Sequence, residues 1–61
     1  MPDDVLRSLR NSILFERMAA IELRRIAERA PDIADQLRAI ADQLDSEAET
    51  VTQSLPQPPK P

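Results

Sequence analysis

The sequence predicts an all-α protein: an antiparallel two-helix hairpin that dimerises into a four-helix bundle and ends in a disordered, proline-rich tail. Apolar residues recur at alternating intervals of three and four in two successive stretches, which places them along one side of a helix in each stretch. Glycine is absent, so nothing but proline interrupts helical composition. Pro31 separates the two stretches and predicts a turn between two helices.

The first stretch predicts a helix over about 4–29. Asp3 or Asp4 is the expected N-cap, because a short carboxylate accepts the free amides of the first turn and suits the positive helix end. Arg29 suits the negative end. Glu16 is the one polar residue on the apolar line. That line consists of Leu6, Leu9, Ile13, Glu16, Ala20, Leu23, Ala27 and Ala30.

The second stretch predicts a helix over about 32–53 after a tight turn at 30–31. Proline disfavours a helical residue before it and fits the first turn of a new helix. We expect Ile33 and Ile40 to widen the apolar line of this helix, and the hairpin to account for residues 1–55. The line itself consists of Ala34, Leu37, Ala41, Leu44, Ala48, Val51 and Leu55.

Residues 56–61 are rich in proline and predict a disordered tail with polyproline II character. A linker is the favoured interpretation. The alternative is a ligand for an aromatic-lined groove, since the segment contains PxxP. If the tail is a linker, the chain is expected to be the amino-terminal module of a longer protein. Amino-terminal helical-hairpin docking modules of multienzyme assembly lines end in a similar way.

Residue numbers predict the register of the hairpin. If the turn lies near residue 30, facing positions have a nearly constant sum. The apolar pairs whose numbers add to 61 are Ala27 with Ala34, Ala20 with Ala41, and Ile13 with Ala48. The charged pairs whose numbers add to 59 are Arg24 with Asp35, Arg17 with Asp42, and Arg10 with Glu49. We expect these charges to form a ladder that sets the register.

The first helix carries a second apolar group, formed by Leu14, Phe15, Met18 and Ile21, roughly opposite the first line. One hairpin partner covers only one side of a helix, so this group requires another partner. A second copy of the chain is the favoured occupant, since small hairpins commonly gain a core as four-helix bundles. The alternatives are a different protein with a matching groove and a monomer with scattered surface apolar residues.

Composition argues against catalysis. The chain has no Cys and no His, so a serine has no base to activate it, and a metal site would have to consist of carboxylates alone. We expect no enzyme activity, no cofactor and no metal. The acidic start, Asp3 and Asp4, is unlike a signal peptide, and no apolar run reaches a membrane span. These features predict a cytoplasmic protein with no membrane association.

Glu16 has two interpretations. A carboxylate buried on the apolar line can act as a base or a metal ligand. It can also reach the edge, pair with an arginine, and fix the bundle register, as polar residues on such lines do. The structural interpretation is favoured, because no His, Cys or second inward carboxylate accompanies it.

A basic strip on the first helix supports an alternative function. It consists of Arg7, Arg10, Arg17, Arg24 and Arg25. Such a strip can contact nucleic acid, although pairing with the acidic second helix is favoured and the net charge of −3 opposes polyphosphate binding. Asn11 and Phe15 lie four residues apart on this helix. In that spacing, and in its overall plan, the chain resembles small plasmid copy-number regulators, which dimerise and bind paired RNA loops.

Together these features predict a non-enzymatic protein–protein interaction module, acting as a dimerisation, docking or scaffold element. The alternative is a small homodimeric RNA-binding regulator of a bacterial type. In that case Arg10, Asn11, Phe15, Arg17 and Arg24 are the expected RNA contacts. For the favoured module, the partner is the protein itself or a helix of another protein, and nucleic acid is not expected.

Overall fold

The computed structural model describes residues 2–56, and all of their regular structure is helical. Helix α1 spans Asp3–Arg29 and helix α2 spans Ala34–Ser54, with a short 3-10 turn at Pro31–Ile33 between them. Within 2–56 there are two α-helices and no strand, so the all-helical class predicted from the sequence is confirmed. The predicted tail beyond Pro56 lies outside the described residues.

The two helices form an antiparallel pair. Arg24 is ion-paired with Asp42, and Arg17, further from the turn, is ion-paired with Glu49, which is also further from the turn. The molecule measures 45 by 20 by 17 Å. Its long dimension is close to the length of α1, since 27 residues at about 1.5 Å each span about 40 Å.

The start of α1 differs from the prediction. Pro2 occupies the N-cap position with an extended backbone, and no side chain caps the helix. The Pro2 carbonyl accepts a hydrogen bond from the Leu6 N–H at 3.1 Å. Asp3 and Asp4 lie inside the first turn, so the prediction that one of them is the N-cap is wrong. Their carboxylates favour the positive end of the helix from within it.

The connection between the helices is a single non-helical residue, Ala30, followed by the 3-10 turn. Pro31 opens that turn, where its missing N–H leaves no donor unpaired. The Ile33 N–H donates to the Ala30 carbonyl at 3.1 Å. Helix α2 begins at Ala34, two residues later than the predicted start at 32, because the tighter 3-10 turn occupies the three residues before it.

The interface between the helices consists of small side chains. All six residues of the apolar pairs predicted to face each other are buried, and three of them, Ala20, Ala41 and Ala48, have 0% exposure. No large side chain within 2–56 is fully buried. The buried set, called here the inner seam, is Ile13, Ala20, Ala27, Ala34, Ala41 and Ala48. Small residues allow two helices to approach closely.

The large apolar residues beside the seam are covered to different extents. The leucines on either side of it, such as Leu9, Leu23, Leu37 and Leu44, are half-buried. Ile33 and Ile40 were expected to widen the apolar line of α2, but each is 48% exposed. That expectation is wrong, because α1 is a single cylinder and covers only the line of α2 that faces it directly.

The predicted charge ladder is also wrong in its register. Arg24 pairs with Asp42 and Asp45, each at 2.9 Å, and not with Asp35. Arg17 pairs with Glu49 at 3.4 Å, and not with Asp42. For both arginines the true partners lie seven or more residues further along α2.

The shift follows from the direction of helical side chains. The Cα–Cβ bonds of a helix tilt toward its own N-terminus. Arginines of α1 therefore extend away from the turn, whereas carboxylates of α2 lean back toward it. An arginine consequently meets an acidic residue well beyond the one at its own level. A constant sum of residue numbers identifies residues at the same height along the two helices. It predicts the neighbours of short alanines but not those of long side chains.

Candidate interaction surface

The most exposed large apolar side chains of the described chain lie together on α1. Leu14 is 58% exposed, Phe15 71%, Met18 62% and Ile21 51%. These four residues are called here the outer stripe. They are the four that the sequence singled out as an interface, and the structure places all of them at the surface. Scattered surface apolar residues are ordinary, whereas a cluster on one helix face indicates a contact surface.

Helix geometry sets the angle between this stripe and the inner seam. At 100° per residue, Leu14, Met18 and Ile21 lie about 130° around α1 from Ile13, Ala20 and Ala27, and Phe15 lies beyond them. The two surfaces therefore face different directions without being diametrically opposed. A helix with this pattern can contact α2 on one side and a second neighbour on the next.

Two separate shallow cavities lie along the boundary between the helices. Their volumes are about 420 Å³ and about 390 Å³, and they share no lining residue. The 390 Å³ cavity touches the stripe at Leu14 and the seam at Ile13, and the remaining lining residues are Arg10, Arg17 and Thr52. Apolar stems of the two arginines thus extend the contact surface beside the stripe.

Sequence reasoning missed a second exposed apolar group close to the turn. Ile26 is 41% exposed, and Ile33 and Ile40 are 48% exposed. Each of the three immediately precedes an alanine of the inner seam. This shared position in the sequence could have predicted their exposure. It places all three at the edge of the interface, where a second helix covers a long side chain only in part.

Glu16 lines the 420 Å³ cavity. It is half-buried, and its Oε2 atom is buried without a hydrogen-bond partner among residues 2–56. The other residues that line this cavity are Gln43, Ser46, Glu47, Thr50 and Val51. No arginine lies in this set, so the expected pairing of Glu16 with an arginine is not formed within the described hairpin.

The arginines of the basic strip of α1 differ in their contacts. Arg17 and Arg24 are held by carboxylates of α2, and Arg25 lies 3.7 Å from Glu22 of its own helix. Hydrogen bonds to Asp42 and then to Asp45 raise the pKa of Arg24. Arg10, Asn11 and Phe15 are exposed. Within the hairpin, much of the positive charge of the strip is therefore neutralised by acidic neighbours.

Neither a metal centre nor a membrane span is present in the part of the chain that the structure describes. No three residues among His, Cys, Asp and Glu there are grouped as metal ligands. Neither α1 nor α2 is both long and apolar enough to cross a bilayer. No protein family, curated protein or solved structure matches this chain.

Proposed function

We propose that this chain is a non-enzymatic interaction module that associates with a second copy of itself through the outer stripe, forming a four-helix bundle. In this role it holds proteins together as a dimerisation, docking or scaffold element. The expected location in the cytoplasm is likewise a prediction from the sequence.

The proposal rests on one observation: the residues that the hairpin buries are mostly alanines, whereas four large apolar side chains of α1 stay exposed. The inner seam contains five alanines and one isoleucine, whereas the four side chains of the outer stripe are 51–71% exposed. Stabilisation by the hydrophobic effect is about 25 cal/mol per Å² of apolar area. A seam of alanines buries little of it, and the outer stripe holds the area that association would recover.

The angle between the two surfaces of α1 supports a bundle. In a square arrangement of four helices, each helix has two neighbours separated by about 90° around its axis. The seam and the stripe are separated by about 130°, which leaves room for α2 on one side and for a helix of a second copy on the other.

The RNA-binding alternative stays a prediction from the sequence. Two of its five expected contacts, Arg17 and Arg24, are engaged by carboxylates within the hairpin. A polyphosphate would have to compete with those carboxylates for the same guanidinium groups. No feature of the described residues favours this function over self-association.

Light scattering across a concentration series, with circular dichroism recorded on the same samples, tests the proposal. We expect a mass near twice that of the 6.9 kDa chain. Met18→Asp and Ile21→Asp should reduce the mass to that of one chain, because each would bring an unpaired carboxylate into the dimer contact. Ala39→Asp is the matched control, since Ala39 is exposed on α2 and outside the stripe.

The control separates loss of association from loss of helix. Asp has the same low helix propensity at position 39 as at position 18. The proposal is wrong if the unmodified chain has the mass of one copy at every concentration, or if the three variants lower the mass equally.

A further inference from the structure

The half of the hairpin nearest the turn carries a second apolar surface. Three isoleucines there are 41–48% exposed. Each has a half-buried leucine three or four residues away, on the same side of its helix. These six residues are called here the isoleucine flank. They are Leu23, Ile26, Ile33, Leu37, Ile40 and Leu44.

The isoleucine flank and the outer stripe lie on opposite sides of the inner seam. On α1, Ile26 immediately precedes a seam alanine, whereas Ile21 of the stripe immediately follows one. They therefore point about 100° away from the seam in opposite directions. Residues that precede the seam on two antiparallel helices face the same side of the pair, so Ile33 and Ile40 of α2 join Ile26. A partner on one surface leaves the other accessible.

Two carboxylates continue this flank away from the turn. Glu16 lies seven residues before Leu23, and Glu47 lies seven residues after Ile40, which keeps each on its line. Both line the 420 Å³ cavity. Neither has an ion pair among residues 2–56, and the Glu16 Oε2 atom is buried without a hydrogen-bond partner there. A buried carboxylate oxygen is costly without a donor, so a donor from outside the hairpin would stabilise this site.

The other side of the hairpin satisfies its charges internally. There Arg17 and Arg24 pair with three carboxylates of α2. On the isoleucine flank and in its cavity, by contrast, the only charged residues are Glu16 and Glu47. Arg29 lies nearer the turn than Ile26, about 20 Å along the helix axis from Glu16. The surface is therefore apolar at one end and negative at the other.

We propose that the isoleucine flank binds an amphipathic helix of a different protein, which lies as a third helix along the boundary between α1 and α2. Its apolar side chains cover the flank, and basic side chains beyond them reach Glu16 and Glu47. From Ile33 to Glu47 the surface extends about 20 Å, which a helix of about 14 residues spans. This is helix-in-groove recognition. It goes beyond the proposed self-association and uses a separate surface.

A second copy of this chain complements the surface poorly. Two copies packed flank to flank in parallel would bring Glu16 and Glu47 against the same carboxylates of the other copy. In antiparallel orientation those carboxylates would lie against isoleucines, because the apolar and acidic parts lie at opposite ends. Neither arrangement supplies positive charge. A helix of another protein can supply both the apolar and the basic side chains.

Two synthetic peptides test this inference. Each is a helix of about 18 residues with leucines at intervals of three and four over its first three turns. On the same side of the last two turns, one peptide carries arginines and the other glutamates. Charges on two turns allow for the tilt of helical side chains. Titration into the isotope-labelled chain, followed by amide NMR, measures both the dissociation constant and the residues contacted. We expect shifts at the isoleucine flank, and binding of the arginine peptide about tenfold tighter than that of the glutamate peptide.

Variants identify the surface and the charge. Ile40→Asp should weaken binding of the arginine peptide about tenfold, because it sets a carboxylate against leucines. Ala39→Asp is the matched control at the neighbouring exposed position, outside the flank. Glu16→Gln should remove most of the preference for arginine over glutamate. Glu28→Gln removes the same charge from an exposed position on the stripe side of α1 and should preserve that preference.

The outcomes separate this inference from the proposed function. It is overturned if the arginine peptide does not bind at about 1 mM, if both peptides bind equally, or if Ile40→Asp and Ala39→Asp weaken binding equally. Light scattering on the same samples gives the mass. A fall from two copies to one on adding peptide would mean that a second copy occupies the flank, which overturns both proposals. A chain with the mass of one copy that binds as expected overturns the proposed function alone.

Discussion

The inner and outer sides of α1 follow opposite rules of residue size. On the inner side, Ile13 is 8% exposed, Ala20 0% and Ala27 2%. On the outer side, all four residues of the stripe are larger than alanine, and the least exposed of them, Ile21, is still 51% exposed. Both sides are apolar and belong to the same helix, so composition alone does not distinguish them.

The two sides of α1 therefore differ in what they contribute to packing and stability. Alanines at every seventh position allow close approach of α2 and define its position, but they remove little apolar area from water. A chain of 61 residues has little core to rely on. The large residues of the outer stripe therefore hold the apolar area that the proposed association would bury.

The largest effect should come from enlarging the inner seam. Ala20→Leu places a large side chain where both Ala20 and Ala41 have 0% exposure. Overpacking of this kind costs about 1–3 kcal/mol, a large share of the stability available to so small a hairpin. Thermal unfolding followed by circular dichroism should show a strongly lowered midpoint or no cooperative transition.

Ala19→Leu is the matched control, because Ala19 is the exposed neighbour on the same helix. The same substitution there should leave the midpoint nearly unchanged. Equal midpoints for the two variants would contradict the description of the seam as closely packed.

The next effect compares the two sides directly by removing the same number of carbon atoms from each. Ile13→Ala should lower the free energy of unfolding by about 2 kcal/mol, since Ile13 is the only large residue of the buried set. Leu14→Ala should cost less than about 0.5 kcal/mol in dilute protein, where Leu14 is exposed.

Urea denaturation at increasing protein concentration should narrow this difference, because association would bury Leu14 and link its contribution to dimer formation. If the difference in unfolding free energy between the two variants is independent of protein concentration, the outer side stays exposed and does not contribute to stability.

The smallest effect concerns the ion pairs at the edge of the seam. Arg24→Gln removes two contacts of 2.9 Å, to Asp42 and Asp45, whereas Arg17→Gln removes one of 3.4 Å. Both guanidinium groups are partly exposed, so salt and water weaken their contacts. We expect Arg24→Gln to lower the unfolding midpoint by about 2 °C and Arg17→Gln by less.

The difference between these two variants should disappear in about 1 M salt, where the screening length falls to about 3 Å. Arg25→Gln serves as the control, because Arg25 contacts only Glu22 of its own helix in the described structure, at 3.7 Å. A larger midpoint change for Arg25→Gln than for Arg24→Gln would contradict the observed pairing. The raised pKa of Arg24 lies far above neutrality, so its charge adds no pH dependence near neutral pH.

Several features required the folded structure. The sequence predicted Asp3 or Asp4 as the N-cap of the first helix, but Pro2 occupies that position. Ile33 and Ile40 have the spacing of interface residues, yet they remain half exposed, because how far a neighbouring helix covers an edge depends on the interhelical geometry. Glu16 lies on the apolar line as the spacing requires, but its unpaired Oε2 atom became visible only with α2 in place.

The sequence by itself determined the two helices, the break at Pro31 and the six residues buried between the helices. Those features depend on backbone periodicity and on the fixed geometry of proline, which act over a few residues. The tertiary structure alone decided which charges meet. Long side chains reach along the helix axis by an amount that their tilt determines, so Arg24 meets Asp42 and Asp45 and not Asp35. The level of a residue along the backbone predicts the neighbours of an alanine, and it does not predict those of an arginine.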